Sequence, residues 1–99
     1  MRIKIDENAR NLYKENCPFS YAKCESISEV DYKIQRCVDL GRWKALDQDL
    51  SFFEVLYHKK KLVILNGKLI DMFTSDEPEY KVSERAKEKH YNTYYKVMI

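Results

Sequence analysis

The chain has 99 residues, of which 44% are apolar and 34% charged, and it contains only two glycines and two prolines. This length fits a single domain over residues 1–99, and this composition excludes collagen, low-complexity linkers and generic disorder. Eighteen Lys and Arg residues against sixteen Asp and Glu residues leave a net charge of +2, which is too balanced to identify a nucleic acid or a membrane as the partner.

Targeting signals and cysteine spacing indicate where the protein works. No stretch approaches the roughly 18 apolar residues of a membrane-spanning helix, and residues 1–6 lack the apolar core of a signal peptide. We therefore expect a cytoplasmic protein without a membrane partner. Cys17, Cys24 and Cys37 are an odd number without the short spacings of paired zinc ligands. This pattern favours reduced thiols, and we expect neither a metal site nor a cofactor.

The N-terminal third is predicted to be helical after one short strand. Alternating apolar and charged residues favour a strand over residues 1–5. Asp6 is a suitable N-cap for a first helix that Pro18 ends at the latest. A second, short helix is expected over residues 19–25.

A third helix has the clearest pattern in the chain. Ser28 and Asp31 match a variant of the capping box, and Gly41 stands where a helix ends in the left-handed conformation. The apolar residues between them recur at helical spacing, and they are Val30, Ile34, Cys37 and Val38. An amphipathic helix that ends at Gly41 is therefore predicted.

The next segment has the features of an antiparallel meander. Phe52–Tyr57 is aromatic and β-branched, which favours a strand, and residues 58–61 are expected to turn the chain. Residues 62–65 and Lys68–Thr74 flank the Asn66–Gly67 pair. Asn-Gly between apolar runs is the strongest short-range signal of a hairpin, so three antiparallel strands are predicted.

A final amphipathic helix is expected to begin around residues 75–78, because Pro78 is tolerated only in a first turn. Its apolar side comprises Val82, Ala86, His90, Tyr91, Thr93, Tyr94, Val97 and Met98. The predicted fold is therefore α+β, with N-terminal helices, a three-stranded antiparallel β-meander and a C-terminal amphipathic helix.

Asp71 is the most informative residue of the predicted hairpin. A two-residue turn would pair Leu62 with Asp71 and place this carboxylate on an apolar face, which comprises Leu62, Ile64, Leu69 and Phe73. A carboxylate there is unfavourable unless it is hydrogen-bonded or paired. Asp71 is therefore expected to be an acid or base in a cleft, a residue at an edge position, or the partner of a helix Lys or Arg in an ion pair.

The predicted turn after the strand Phe52–Tyr57 places four potential cations together. They are His58, Lys59, Lys60 and Lys61. Such a cluster either binds a phosphate backbone or guards the sheet against edge-to-edge aggregation.

His90 lies within the apolar side of the last helix, where histidine is either a packing residue or a proton-transfer group near neutral pH. Its neighbours along the helix are Arg85, Lys89, Tyr91, Tyr94 and Tyr95. Arginine can stabilise charge on a phosphate. The tyrosines can stack on unpaired bases or anchor an interface with a protein.

The order of the predicted elements resembles the barnase–EndoU–colicin–RelE superfamily of small, metal-independent RNase toxins. The similar segments are residues 3–14, which look like the start of BrnT-type toxins, and residues 19–22, 27–31, 41 and 62–73. Tyr21 and Asp71 stand where the family pattern has His and Thr. The resemblance implies an α+β fold and RNA cleavage without a metal. For such cleavage, His58 or His90 would act as acid or base, Asp71 as base or orienting residue, and Arg85 with Lys61 as the phosphate clamp.

Three functions stay open at this point. The first is an RNase-toxin-like domain that cleaves or binds RNA and has an antitoxin as its protein partner. The second is a non-enzymatic protein from a phage or mobile element that binds and inhibits a host defence complex, as anti-CRISPR proteins do. The third is a nucleic-acid-binding regulator without catalysis, for which a net charge of +2 is weak support.

Overall fold

A computed structural model describes residues 1–48 and 51–95 of the chain. The elements in chain order are α1 (Glu7–Asn16), α2 (Pro18–Ala22), α3 (Ile27–Leu40), β1 (Arg42–Ala45), β2 (Phe52–Tyr57), β3 (Lys60–Leu65), β4 (Lys68–Thr74) and α4 (Glu84–His90), and a π-helical turn over Tyr91–Tyr95 follows α4. The strands form one antiparallel sheet in the order β1-β2-β3-β4. The predicted α+β class is confirmed, but the sheet has four strands where three were predicted. No helix in the described part is long and apolar enough to cross a membrane.

The helix termini follow the sequence signals in part. Asp6 caps α1 as predicted, since its Oδ1 accepts a hydrogen bond from the Ala9 N–H at 2.9 Å. α2 ends at Ala22, earlier than predicted. The capping residue of α3 is Ser26 and not Ser28: the Ser26 hydroxyl accepts from the Glu29 N–H at 3.2 Å.

Gly41 ends α3, but not for the predicted reason. Its φ of −76° and ψ of 171° are extended, so the expected left-handed conformation is wrong. A Cβ at this position would collide with the Val55 side chain and would lie 2.7 Å from the Cys37 carbonyl oxygen. Glycine is therefore required here by the close approach of α3 to the sheet.

The two ends of the sheet were not predicted correctly. Residues 1–5 do not form a strand, because only Lys4 pairs, as an isolated parallel bridge to Lys68. β1 was missed altogether. All four of its side chains are exposed, so it lacks the apolar alternation that marks a half-buried strand.

The two hairpin turns are both short. Asn66 and Gly67 have φ values of 51° and 76°, the positive pair that the predicted Asn-Gly turn requires. The β2–β3 turn consists of His58 and Lys59 alone, because Lys60 already pairs with Tyr57 in the sheet. The predicted four-residue turn is therefore wrong.

A β-bulge changes the register of the last hairpin. Val63 pairs with Asp71 and Leu62 pairs with Met72, so Ile70 is the extra residue. Met72 takes the buried position on the inner face, and Asp71 is exposed. The predicted placement of Asp71 on the apolar face is wrong. The bulge avoids burying an unpaired carboxylate and buries an apolar side chain in its place.

The core lies between one face of the sheet and the helices. Its fully buried side chains include Ile34, Val38, Val55, Leu62, Ile64 and Leu69. α1 packs along β4, and α3 packs on β2.

The segment before α4 is not helical, so the predicted helix start at residues 75–78 is wrong. Tyr80 pairs with His58 by two backbone hydrogen bonds of 2.8 and 3.0 Å. Glu77 forms ion pairs with Arg42 and Lys61. These contacts hold the segment against β1, β3 and the turn between β2 and β3. α4 begins at Glu84, capped by the Ser83 hydroxyl; the predicted Val97 and Met98 lie outside the described residues.

Candidate functional site

His90 joins α4 to α3 through both nitrogens of its ring. It is only 5% exposed. Its Nε2 lies 2.7 Å from Asp39 Oδ2, and its Nδ1 lies 2.8 Å from the Tyr32 hydroxyl oxygen. Both nitrogens are therefore occupied, and a proton can reach the ring from a bound molecule only through Tyr32 or Asp39.

Tyr32 and Asp39 were missed as site residues. They lie seven positions apart on α3, two helical turns, and therefore on the same helix face. That spacing is visible in the sequence, but nothing in the sequence assigns His90 to this face. Burial raises the pKa of the Tyr32 hydroxyl above its usual value of 10.0, so the hydroxyl stays protonated and can donate to the ring at neutral pH.

A cleft of about 260 Å³ opens beside His90, between the N-terminal segment, α3 and the turn after α4. Its lining combines aliphatic, aromatic and charged side chains: Arg2, Ile3, Ile5, Ser28, Asp31, Tyr32, Gln35, Asp39, His90 and Tyr94. Gln35 supports one wall, because its amide donates to Asp39 Oδ1 at 2.8 Å and its carbonyl accepts from the Ile3 N–H. Asp31 forms a two-point ion pair with Arg10.

Three tyrosines after α4 collect around the same framework. The rings of Tyr91 and Tyr95 lie 5.9 and 4.8 Å from the ring of Tyr32, and that of Tyr94 lies 4.6 Å from the imidazole of His90. Tyr91 is 39% exposed and Tyr94 52% exposed. We call Tyr91, Tyr94 and Tyr95 the tyrosine surface. The rings of this surface are partly exposed to solvent, and on their inner side they contact the buried, hydrogen-bonded pair of Tyr32 and His90.

The other predicted catalytic residues do not line the cleft. Asp71 is exposed on β4, and its Oδ1 accepts from the Met72 N–H at 2.9 Å. Arg85 and Lys89 are both exposed on α4, beside Asn92. The structure therefore brings His90 together with the tyrosine surface but brings neither Asp71 nor Arg85 to it.

His58 forms a separate pair with a carboxylate. Its Nδ1 lies 3.1 Å from Glu79 Oε2, and this hydrogen bond lowers the pKa of Glu79 below its usual value. The ring is therefore engaged in holding residues 75–83 against the β2–β3 turn.

The three lysines that follow His58 have different surroundings. Lys59 is exposed in the turn. Lys60 donates to the Thr74 hydroxyl at 2.7 Å. Lys61 lies between Glu54 and Glu77, and its hydrogen bond to Glu77 raises the pKa of the lysine. The predicted cation cluster is thus divided, with the charge of Lys61 balanced by two carboxylates.

The remaining chemistry in the described residues is limited. No group of three His, Cys, Asp or Glu side chains within residues 1–48 and 51–95 is placed to hold a metal ion. Cys17, Cys24 and Cys37 are all free thiols. The chain matches no protein-family model, no curated protein and no solved structure.

Proposed function

We propose that this chain is a non-enzymatic cytoplasmic protein that binds another protein through the tyrosine surface, in the manner of a phage or mobile-element inhibitor of a host defence complex. One observation carries the proposal: the side chains suited to an interface lie together, whereas those suited to catalysis lie apart. His58 lies in the β2–β3 turn, Asp71 on β4 and Arg85 on α4, and none of them lines the cleft that His90 borders.

The chemistry of the tyrosine surface supports protein binding. Tyrosine is enriched among interface hot spots, since its ring buries a large area and its hydroxyl can hydrogen-bond at the rim. Tyr91 and Tyr94 already pack on Tyr32 and His90. Less side-chain entropy is therefore lost when a partner covers them, which favours affinity.

A matched pair of variants tests this proposal. The tagged chain is used to isolate its dominant partner from host lysate, and the purified partner is then titrated by calorimetry. The double variant Tyr91→Ala with Tyr94→Ala should weaken binding by at least about tenfold, as expected for hot-spot residues. Phe19→Ala is the control, because Phe19 is an aromatic residue that is 85% exposed on α2. Equal losses in both variants, or no loss in either, would contradict the proposal.

A second candidate is metal-independent RNA cleavage, which the pairing of His90 with Asp39 beside a cleft favours. A carboxylate that accepts a hydrogen bond from imidazole fixes the tautomer and orientation of the ring. Arg2 also lines this cleft and is a suitable group for a phosphate. In this reading the Tyr32 hydroxyl relays the proton between the ring and the ribose.

RNA incubated with the protein in EDTA separates the two candidates. Cleavage that His90→Ala and Tyr32→Phe abolish, while Asp71→Ala and Arg85→Ala leave it intact, would favour the cleft and displace the binding proposal. Circular dichroism of each variant shows whether a lost activity reflects unfolding. Intact RNA with the wild-type chain would remove the second candidate.

A further inference from the structure

The two edges of the sheet differ in how they are covered. At the β4 edge the Lys4 N–H donates to the Gly67 carbonyl at 2.7 Å, and the Asn16 side chain donates to the Met72 carbonyl at 3.0 Å. α1 also packs along this strand. The N-terminal segment and α1 thus cover the β4 edge and satisfy part of its backbone.

The β1 edge is open. The Leu46 N–H donates to the Phe52 carbonyl at 2.8 Å, and hydrogen-bonding direction alternates along an antiparallel strand. Arg42 and Lys44 therefore direct their backbone groups to β2, and Trp43 and Ala45 direct theirs outwards. Within the described residues, no other segment donates to or accepts from these outward groups.

β1 is short, but its side chains fix it in place. The Trp43 indole N–H donates to the Val38 carbonyl at 2.6 Å, and the indole stacks on the Phe53 ring at 4.5 Å. The edge is therefore preformed, so a strand that adds to it meets an ordered template.

We propose that the open edge of β1 accepts an extended segment of a partner protein with acidic residues opposite Arg42 and Lys44. Side chains alternate along a strand, so Arg42 and Lys44 share one face of the sheet and Trp43 lies on the other. Glu77 pairs with Arg42 at 3.2 Å, but the Arg42 side chain stays 55% exposed, and Lys44 is exposed as well. Opposite charges facing each other across strands are stabilising. The matching segment therefore reads acidic, apolar, acidic. This contact is separate from the tyrosine surface and goes beyond it.

A second copy of this chain fits the edge less well. Antiparallel pairing of two β1 strands centred on Trp43 would place Arg42 opposite Lys44 of the second copy. Like charges directly opposite each other are destabilising, and basic residues on an edge strand oppose self-association. The same charges that disfavour a symmetric dimer favour an acidic strand.

A capped eight-residue peptide that alternates glutamate and valine is the probe. Its titration into the ¹⁵N-labelled chain is followed by amide shifts and hydrogen exchange. We expect shifts centred on β1 and slower exchange of the Trp43 and Ala45 amides, because these two point outwards. A peptide with lysine in place of glutamate should bind at least about tenfold more weakly, since its charges face Arg42 and Lys44.

Backbone pairing is tested with modified peptides and with one variant of the protein. Two further peptides carry N-methyl groups either on the valines or on the glutamates. Only alternate residues of an added strand bond to the edge, so one methylated peptide should lose binding and the other should keep it. Ala45→Pro removes one outward N–H at a position where an edge strand tolerates proline, and it should also abolish binding.

Three results would overturn this inference: no binding of the acidic peptide, equal binding of both methylated peptides, or a free chain that sediments as a dimer with the Trp43 and Ala45 amides already protected. The peptide test does not involve the tyrosine surface. A failed peptide titration with retained, tyrosine-dependent partner binding would therefore reject the edge contact alone.

Discussion

At position 41, packing alone determines that the residue must be glycine. A Cβ there would meet the Val55 side chain and two carbonyl oxygens, those of Cys37 at 2.7 Å and Leu56 at 2.9 Å. Carbonyl oxygens of a helix and a strand cannot rotate away, so Gly41→Ala must shift α3 relative to the sheet. We expect Gly41→Ala to lower the free energy of unfolding by about 2–3 kcal/mol, the upper part of the range for an overpacked core, as measured by urea denaturation.

Gly67→Ala is the matched control for that substitution. Gly67 has a φ of 76°, and a Cβ there would meet nothing within 4 Å. Gly67→Ala should lower the free energy of unfolding by about 1 kcal/mol, because an alanine there is strained only by the left-handed backbone. A larger effect at Gly67 than at Gly41 would show that helix–sheet contact does not determine the residue at position 41.

Asp39 is expected to matter to stability whether or not the chain binds RNA. Asp39→Ala leaves the Nε2 of the buried His90 without its partner at 2.7 Å. An unsatisfied buried donor costs about 1–3 kcal/mol, so the free energy of unfolding should fall by that amount. Asp76→Ala is the control and should change it by less than about 0.5 kcal/mol, because within the described residues Asp76 is exposed and its side chain makes no hydrogen bond or ion pair. The reverse order of effects would contradict the structure.

At the scale of whole elements, the start of α3 gives a direct test of capping. The Ser26 hydroxyl accepts from the Glu29 N–H, whereas Ser28 lies inside the helix and is exposed. Ser26→Ala should lower the free energy of unfolding by about 1 kcal/mol, the usual value of an N-cap. Ser28→Ala should leave it almost unchanged in the same urea experiment, and a dominant effect of Ser28→Ala would restore the sequence-based assignment.

Elements with strong local signals could be predicted from the sequence. The Asp6 cap, the strands Phe52–Tyr57 and Lys68–Thr74 and the Asn66–Gly67 turn all depend on residues that adjoin one another. Their backbone preferences and apolar patterns act within a few residues, so the sequence alone determines them.

Elements that depend on distant contacts were missed or misplaced. β1 has no apolar pattern and is held by pairing with β2 and by the Trp43 contacts. The bulge at Ile70 arises because the inner face accepts Met72 and not Asp71. Pro78 suggested a helix, but ion pairs and the His58–Tyr80 backbone pairing hold that segment in a non-helical conformation.

The same distinction explains the candidate site. The apolar side of the last helix predicted that His90 would face inwards, which its burial confirms. Its partners Tyr32 and Asp39 are 58 and 51 positions away in the chain, so only the packing of α4 on α3 identifies them. Tyr91 and Tyr94 were predicted on the same apolar side of the last helix, but their rings are 39% and 52% exposed.

At the scale of the whole molecule, the buried thiol and phenols make stability depend on alkaline pH. Burial raises the pKa of the Cys37 thiol from 9.0 to about 12, and it also raises the pKa of Tyr13 and Tyr57. In the unfolded chain these groups lose protons at lower pH than in the folded one. Their contribution to stability is therefore fully present below pH 9 and is lost as the pH rises towards 12.

Cys37→Ala measures how much the Cys37 thiol contributes to this pH dependence of stability. Between pH 9 and 11, each proton released on unfolding lowers the free energy of unfolding by about 1.4 kcal/mol per pH unit. The variant lacks one such proton, so its stability should fall less steeply than that of the wild type, even if the cavity lowers its absolute value. Cys24→Ala is the control, because Cys24 is only half-buried and contributes less. Urea denaturation at a series of pH values measures the slopes, and parallel slopes for wild type and Cys37→Ala would mean that the thiol ionises without unfolding.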